Sequence, residues 1–233
     1  MYCHTCGTQV TDGTQFCPNC GHPVGGGATG IPPGPATPWT PPTTVTLQTG
    51  RWIDIGWQMV KADIGNYMLI ALVFSLLSGM VPVVIQGPLM IGFHIYCMKR
   101  MFNRPAEFAD LFKGFNYFVP ALVASLLISL FTMIGTIFCI IPGLVVASMY
   151  KFTYLFIFDK RMDFWPAMQA SHAVVRNDYV GFTLFLIVLG LINLLGFLCC
   201  IVGVFITIPL TFAAITAAYR DIVGFEPSTV ETL

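Results

Sequence analysis

Residues 118–160 read FVPALVASLLISLFTMIGTIFCIIPGLVVASMYKFTYLFIFDK, and a hairpin of two apolar helices is legible in them. Between Phe118 and Phe158 the only charged side chain is Lys151. The first run, 118 to 141, is long enough to cross a bilayer, which takes about 17 to 25 residues. Pro142-Gly143 then interrupts it, because proline brings no backbone N–H to a helix ladder. A second run, 143 to 159, returns to Lys160-Arg161. Both runs are apolar around their whole circumference, so they are surrounded by protein or by lipid.

The rest of the chain has the same character. Of 233 residues 56% are hydrophobic and 9% charged, against about 25% charged in a soluble domain. Such a chain cannot cover a water-facing surface, and the expected class is an integral membrane protein. Eleven basic and eleven acidic side chains cancel, which removes the long-range field that collects nucleic-acid phosphates. The length leaves no room for a large catalytic domain beside the membrane part.

The quoted hairpin is the middle one of three loose repeats covering 51–233. Each begins with an acidic, amphipathic lead-in at Asp54, Asp110 or Asp163, followed by Asn66-Tyr67, Asn116-Tyr117 or Asn177-Asp178-Tyr179. Each apolar run then breaks, at 82–88, 142–143 or 196–203, and a second run ends at Lys99-Arg100, Lys160-Arg161 or Arg220-Asp221. The six runs are 67 to 86, 88 to 102, 118 to 141, 143 to 159, 179 to 199 and 201 to 219, the second being short for a span. In the first lead-in Arg51, Asp54, Gln58 and Lys61 lie opposite Ile53, Trp57, Val60 and Ile64, a stripe suited to the headgroup layer. Met168, Gln169, His172 and Arg176 behave similarly in the third. The expected fold is all-α: about six membrane helices as three hairpins, with interfacial amphipathic helices and a small N-terminal zinc ribbon.

Ten of the eleven Lys and Arg lie between hairpins or at the ends of the body. The positive-inside rule therefore places those segments and both termini in the cytoplasm, across a bacterial or archaeal cytoplasmic membrane. The hairpin tips carry no charge, and Cys139 and Cys199 or Cys200 occupy matching tips, where buried free thiols are expected and a disulfide is the alternative. Ala213, Ala214, Ala217 and Ala218 give the last helix a small face for close packing. That face permits a homo-oligomer without requiring one.

The N-terminus holds the other recognisable motif. Cys3-His4-Thr5-Cys6 and Cys17-Pro18-Asn19-Cys20 form two C-x2-C pairs ten residues apart. Four thiolates aimed at one point suit a closed tetrahedral zinc site at Cys3, Cys6, Cys17 and Cys20, and zinc would supply most of the folding free energy of so short a head. Residues 1–24 form this ribbon, 25–50 a flexible Gly- and Pro-rich linker, and 51–233 the helical membrane domain. Residues 1–50 contain no Lys or Arg, so the ribbon is expected to bind a protein partner or another copy of the chain rather than nucleic acid. A cytosolic head also keeps its thiols reduced. In Tyr2-Cys3 to Cys6-Gly7 and Phe16-Cys17 to Cys20-Gly21 the head resembles the short zinc ribbons at the N-termini of many bacterial and archaeal membrane proteins.

No H-E-x-x-H, G-x-S-x-G or phosphate-cradling G-x-x-x-x-G-K occurs, and no carboxylate pair lies deep in the runs. Lys151 and His94 are the ionisable groups at membrane depth, the type of position that marks a functional site; snorkelling toward the interface is the alternative for Lys151. Ile141-Pro142-Gly143, Phe158-Asp159-Lys160 with the 167–171 helix, and Pro209-Leu210 to Tyr219-Arg220-Asp221 give the body a resemblance to the membrane domain of some bacterial glycerophosphodiester phosphodiesterases. The resemblance implies a fold and a location; the catalytic barrel of those enzymes has no counterpart in this sequence. The expectation is a non-enzymatic membrane scaffold or adaptor, with membrane shaping as a variant. The alternative is a transporter or lipid-handling protein that uses Lys151 and His94.

Overall fold

The computed structural model describes residues 39–42, 45–80, 84–198 and 203–233. Every regular element among them is a helix. The order is α1 (Thr49–Ala62), α2 (Ile64–Met80), α3 (Gln86–Met101), a 3-10 helix (Phe108–Tyr117), α4 (Phe118–Phe138), α5 (Ile140–Met149), α6 (Thr153–Asp159), α7 (Phe164–Val175), α8 (Tyr179–Leu198), α9 (Val204–Ile222) and α10 (Pro227–Thr232). The polar residues ahead of the apolar runs cap or brace these helices. Asp163 accepts from Phe164 N at 2.8 Å, Asp178 from Gly181 N at 2.9 Å, and Asp110 from Glu107 N at 2.8 Å.

Four stretches are long and apolar enough to cross a membrane: Phe108–Phe138, Ile140–Asp159, Tyr179–Leu198 and Val204–Ile222. A fifth is reached only if α1 and α2, bent by 101° at Asp63, count as one broken span. This is fewer than the six runs the sequence suggests, and α3 shows the reason. It has 16 residues, and from Gly87 to Lys99 all but Met90 are buried, so it is wrapped by protein. The outermost apolar side chains lie elsewhere, on α4 and α8: Ile137 is 75% and Phe138 83% exposed, and Val180 and Leu198 are likewise open.

Helix α9 is the other central element. Ala213, Ala214, Ala217 and Ala218 are fully buried within the chain, so the small face packs against this chain's own helices. On α1, Gly56 lies so close that a Cβ there would stand 3.0 Å from Ala214 N. The buried stripe of α1 is Trp52, Gly56 and Val60; of the apolar face expected at the headgroup layer, Trp57 and Ile64 are exposed, whereas Val60 is turned into the protein core. Trp52 also donates from Nε1 to Asp221 at 3.1 Å.

The compact unit runs from residue 38 to 233 and takes in the last part of the Gly- and Pro-rich segment. Trp39 packs edge-on against Phe156 of α6 with ring centroids 4.9 Å apart, Asn177 Nδ2 donates to the Pro42 carbonyl at 3.2 Å, and Val45 and Leu47 join the core. At the other terminus, the buried Asp159 accepts from Tyr219 Oη at 2.9 Å and Glu226 N at 3.0 Å, and its carbonyl accepts from Thr229 Oγ1 at 2.8 Å. These bonds tie α6, α9 and α10 together. Cys139 is a free thiol but exposed, not buried as expected; Cys199 and Cys200 lie outside the described residues.

Candidate functional site

The run 143–159 is not a continuous helix. Between α5 and α6 the backbone at 150–152 leaves the α-helical ladder, with Lys151 N bonded to Ser148 O and Thr153 N to Tyr150 O, both at 3.2 Å. Ser171 of α7 closes the break: its hydroxyl donates to Met149 O at 2.6 Å and accepts from Phe152 N at 3.2 Å. An interrupted helix is tolerated in an apolar body where its freed backbone groups find such partners and where it borders a cavity. Lys151 sits at the centre of this break.

A cavity of about 400 Å³ adjoins it, within the range of roughly 300 to 1,000 Å³ common for small-ligand sites. Lys151, His94, Asn193, Gln86, Tyr150 and Tyr154 give it polar atoms, with Phe74, Met90 and Ile208 among its apolar walls. The structure thus brings Lys151 and His94, which are 57 positions apart in sequence, to one site. Gln86 begins α3 and His94 lies eight residues further along it, about 12 Å at 1.5 Å per residue. The cavity therefore runs along the first half of α3.

Its electrostatics are unbalanced. Lys99 and Lys113 pair with Asp110, Arg100 with Asp63, Lys160 with Glu226, and Arg220 with Asp221. Among the described residues Lys151 Nζ has neither an ion-pair nor a hydrogen-bond partner. His94 is almost wholly buried and its Nδ1 lies 2.9 Å from Thr216 Oγ1 of α9. Asn193 of α8 donates from Nδ2 to Thr211 Oγ1 of α9 at 2.7 Å and to Leu189 O at 2.8 Å.

Asn193, the two threonines and Ser171 are the site residues that reading the sequence missed. Asn193 is the only carboxamide in the run 179 to 199, and a polar side chain at that depth was the available signal. Nothing local in the sequence marks the helix break, since the hydroxyl that closes it comes from a different helix.

Residues 2–24 match a zinc-ribbon domain. That match contains Cys3, Cys6, Cys17 and Cys20, which lie outside the described residues; four thiols in two C-x2-C pairs are a donor set that fits tetrahedral zinc. Among the described residues no group of three or more His, Cys, Asp and Glu side chains is placed to hold a metal ion. Uncharacterized proteins of Mycobacterium bovis and Mycobacterium tuberculosis are 30% identical over 128 residues, 55% of this chain. The chain spans 39% of the length of these relatives. No solved structure matches it.

Proposed function

We propose that the chain is an integral membrane protein whose helical body holds a small anion or an anionic lipid headgroup. The observation that carries this reading is the cavity in which Lys151 has no acidic partner. An unneutralised cation in an apolar body is costly, and a ligand that brings the opposite charge offsets the cost. The basic ends of the hairpins support a cytoplasmic-membrane location with both termini in the cytoplasm. On that orientation the part of α3 that borders the cavity is the part away from the cytoplasmic end at Lys99-Arg100. This is handling without covalent chemistry: the cavity offers a cation, hydroxyls and amides, and Lys151 and His94 act as binding groups.

Lys151→Met tests it, since the variant keeps the length of the side chain and removes the charge. A charged hydrogen bond contributes about 1.5–3 kcal/mol. Anionic species that co-purify with the solubilised wild-type chain, quantified by mass spectrometry, are expected to fall at least tenfold in the variant. A folded Lys151→Met protein that retains the same species in the same amount overturns the reading.

A second reading concerns the head, and the ribbon match supports it. A closed four-cysteine site has no open coordination position, and the absence of Lys and Arg from residues 1–50 disfavours nucleic acid. The ribbon then serves as an adaptor for a cytoplasmic protein or for a second copy of the chain. Replacing Cys17 and Cys20 together by serine is expected to abolish zinc content and, with it, any association made through the head. Zinc bound in full by that variant, or associations unchanged after zinc is lost, would contradict the reading.

A further inference from the structure

We infer that the cavity is shaped for an anion that also carries hydroxyl groups. The inference rests on the ligand-site reading above and adds the chemical class of the ligand. It follows from where the hydrogens of two threonines go. Thr216 Oγ1 donates to Phe212 O at 2.8 Å and Thr211 Oγ1 to Thr207 O at 2.9 Å, so each hydroxyl spends its single hydrogen on its own helix. Toward a neighbouring side chain, each is then an acceptor.

The consequence on α3 is that His94 donates from Nδ1 to Thr216, which leaves the lone pair of the neutral imidazole on Nε2. On α8, both amide hydrogens of Asn193 are committed, to Thr211 and to Leu189 O. Its Oδ1 has no partner among the described residues. Helix α9 thus converts two residues of the cavity wall, one on each neighbouring helix, into acceptors. Lys151 supplies the one positive charge.

A bare anion is met by Lys151 and by the donors of Gln86, Tyr150 and Tyr154 on the same cavity, but it leaves the two acceptors, His94 Nε2 and Asn193 Oδ1, without a hydrogen. Leaving a buried polar group unsatisfied is unfavourable. A phosphate diester or carboxylate with hydroxyls on the adjoining carbons satisfies both requirements. The negative oxygen meets Lys151, and the hydroxyls donate to His94 Nε2 and Asn193 Oδ1. The apolar wall of Phe74, Met90 and Ile208 accommodates an acyl or alkyl portion, so the hydroxylated anion comes either as a lipid headgroup or as a free polyol phosphate.

The test compares two lipids of equal charge. The full chain, purified in uncharged detergent, is titrated with short-chain phosphatidylglycerol, with short-chain phosphatidylmethanol and with free glycerol phosphate. Phosphatidylglycerol is expected to bind at least tenfold more tightly than phosphatidylmethanol, which has the same phosphodiester charge and no hydroxyl. Asn193→Leu is expected to shrink that ratio below about threefold. Thr216→Val, at a position outside the cavity lining, removes the acceptor that holds the hydrogen on His94 Nδ1 and lets the imidazole carry it on Nε2 instead; it is also expected to shrink the ratio, and it covers the case in which Asn193→Leu fails to fold. Free glycerol phosphate binding as tightly as the lipid identifies a soluble source; binding of the lipid alone identifies a headgroup. Equal affinity for the two lipids, with Lys151→Met still weakening both, overturns this inference and leaves the anion site standing. Lipid binding that Lys151→Met does not change overturns both.

Discussion

Gly92→Val is expected to abolish folded protein, because α3 and the 3-10 helix meet backbone to backbone with no side chain between them. A Cβ at Gly92 would overlap the Leu111 carbonyl and stand 2.9 Å from Leu111 Cα. From the other side, a Cβ at Gly114 would overlap the Pro88 carbonyl and come within 2.6 Å of Gly92 N. Ordinary overpacking costs about 1–3 kcal/mol where a flexible neighbour can give way. Here each obstacle is main chain, so relief requires separating the two helices. That would draw Lys99 of α3 away from Asp110 of the 3-10 helix, a buried pair at 2.8 Å, and breaking such a pair is itself worth about 3–5 kcal/mol. The sum approaches the whole stability of a typical domain, about 5–15 kcal/mol. On α8, by contrast, a Cβ at Gly190 meets nothing within 4 Å, and Gly190→Ala is expected to be neutral or stabilising by about 0.5–1 kcal/mol. Yield of monodisperse protein after solubilisation, followed by thermal unfolding, measures both. A Gly92→Val protein with wild-type yield and melting temperature would show that this close approach does not hold the fold together.

How legible the fold is depends on which question is put to the sequence. Run length and the charged residues at run ends locate α2, α3, α4, α8 and α9 to within a few residues, because apolar continuity and charge are properties of single segments. They do not say what surrounds a helix. Lipid and a protein interior are equally apolar, so α3 reads like a short span although it is almost wholly buried in protein. The Trp39 to Leu47 stretch has a related problem: its composition is that of a linker, yet Trp39 finds Phe156 and Pro42 finds Asn177. For the site, charge at depth singles out Lys151 and His94, and the structure sets both on one cavity. The hydrogen-bond acceptors that define the cavity's character stayed hidden, since Thr211 and Thr216 act on side chains of other helices. The zinc-ribbon motif is the opposite case. It is local, carried by two pairs of cysteines at fixed spacing, and the domain match over residues 2–24 covers the same stretch.

Asp159→Ala is expected to cost about 3–5 kcal/mol, the penalty of leaving buried partners of a charge uncompensated. The Asp159 side chain is wholly enclosed. It accepts from Tyr219 Oη on α9 and from Glu226 N at the start of α10, and Lys160 Nζ lies 3.7 Å away. Alanine strands the tyrosine hydroxyl and the backbone N–H, each worth about 1–3 kcal/mol when buried without an acceptor. The Thr229 hydroxyl still reaches the residue 159 carbonyl, so α10 is weakened rather than released outright. Asn at 159 is the informative control. The Glu226 N–H can only donate, which forces the amide oxygen toward it and the NH2 toward Tyr219, whose hydroxyl can rotate to accept. Asp159→Asn should therefore cost less than Asp159→Ala, about 1–2 kcal/mol, through loss of the attraction to Lys160. Tyr219→Phe should be destabilising in the wild-type chain and nearly silent in the Asp159→Ala background, a coupling of about 1–3 kcal/mol in a double-mutant cycle. Thermal unfolding in detergent gives the energies, and proteolysis near residue 226 reports on α10. If Asp159→Ala unfolds within about 0.5 kcal/mol of wild type, the range of an ordinary surface substitution, this carboxylate does not hold the C-terminal segment to the bundle.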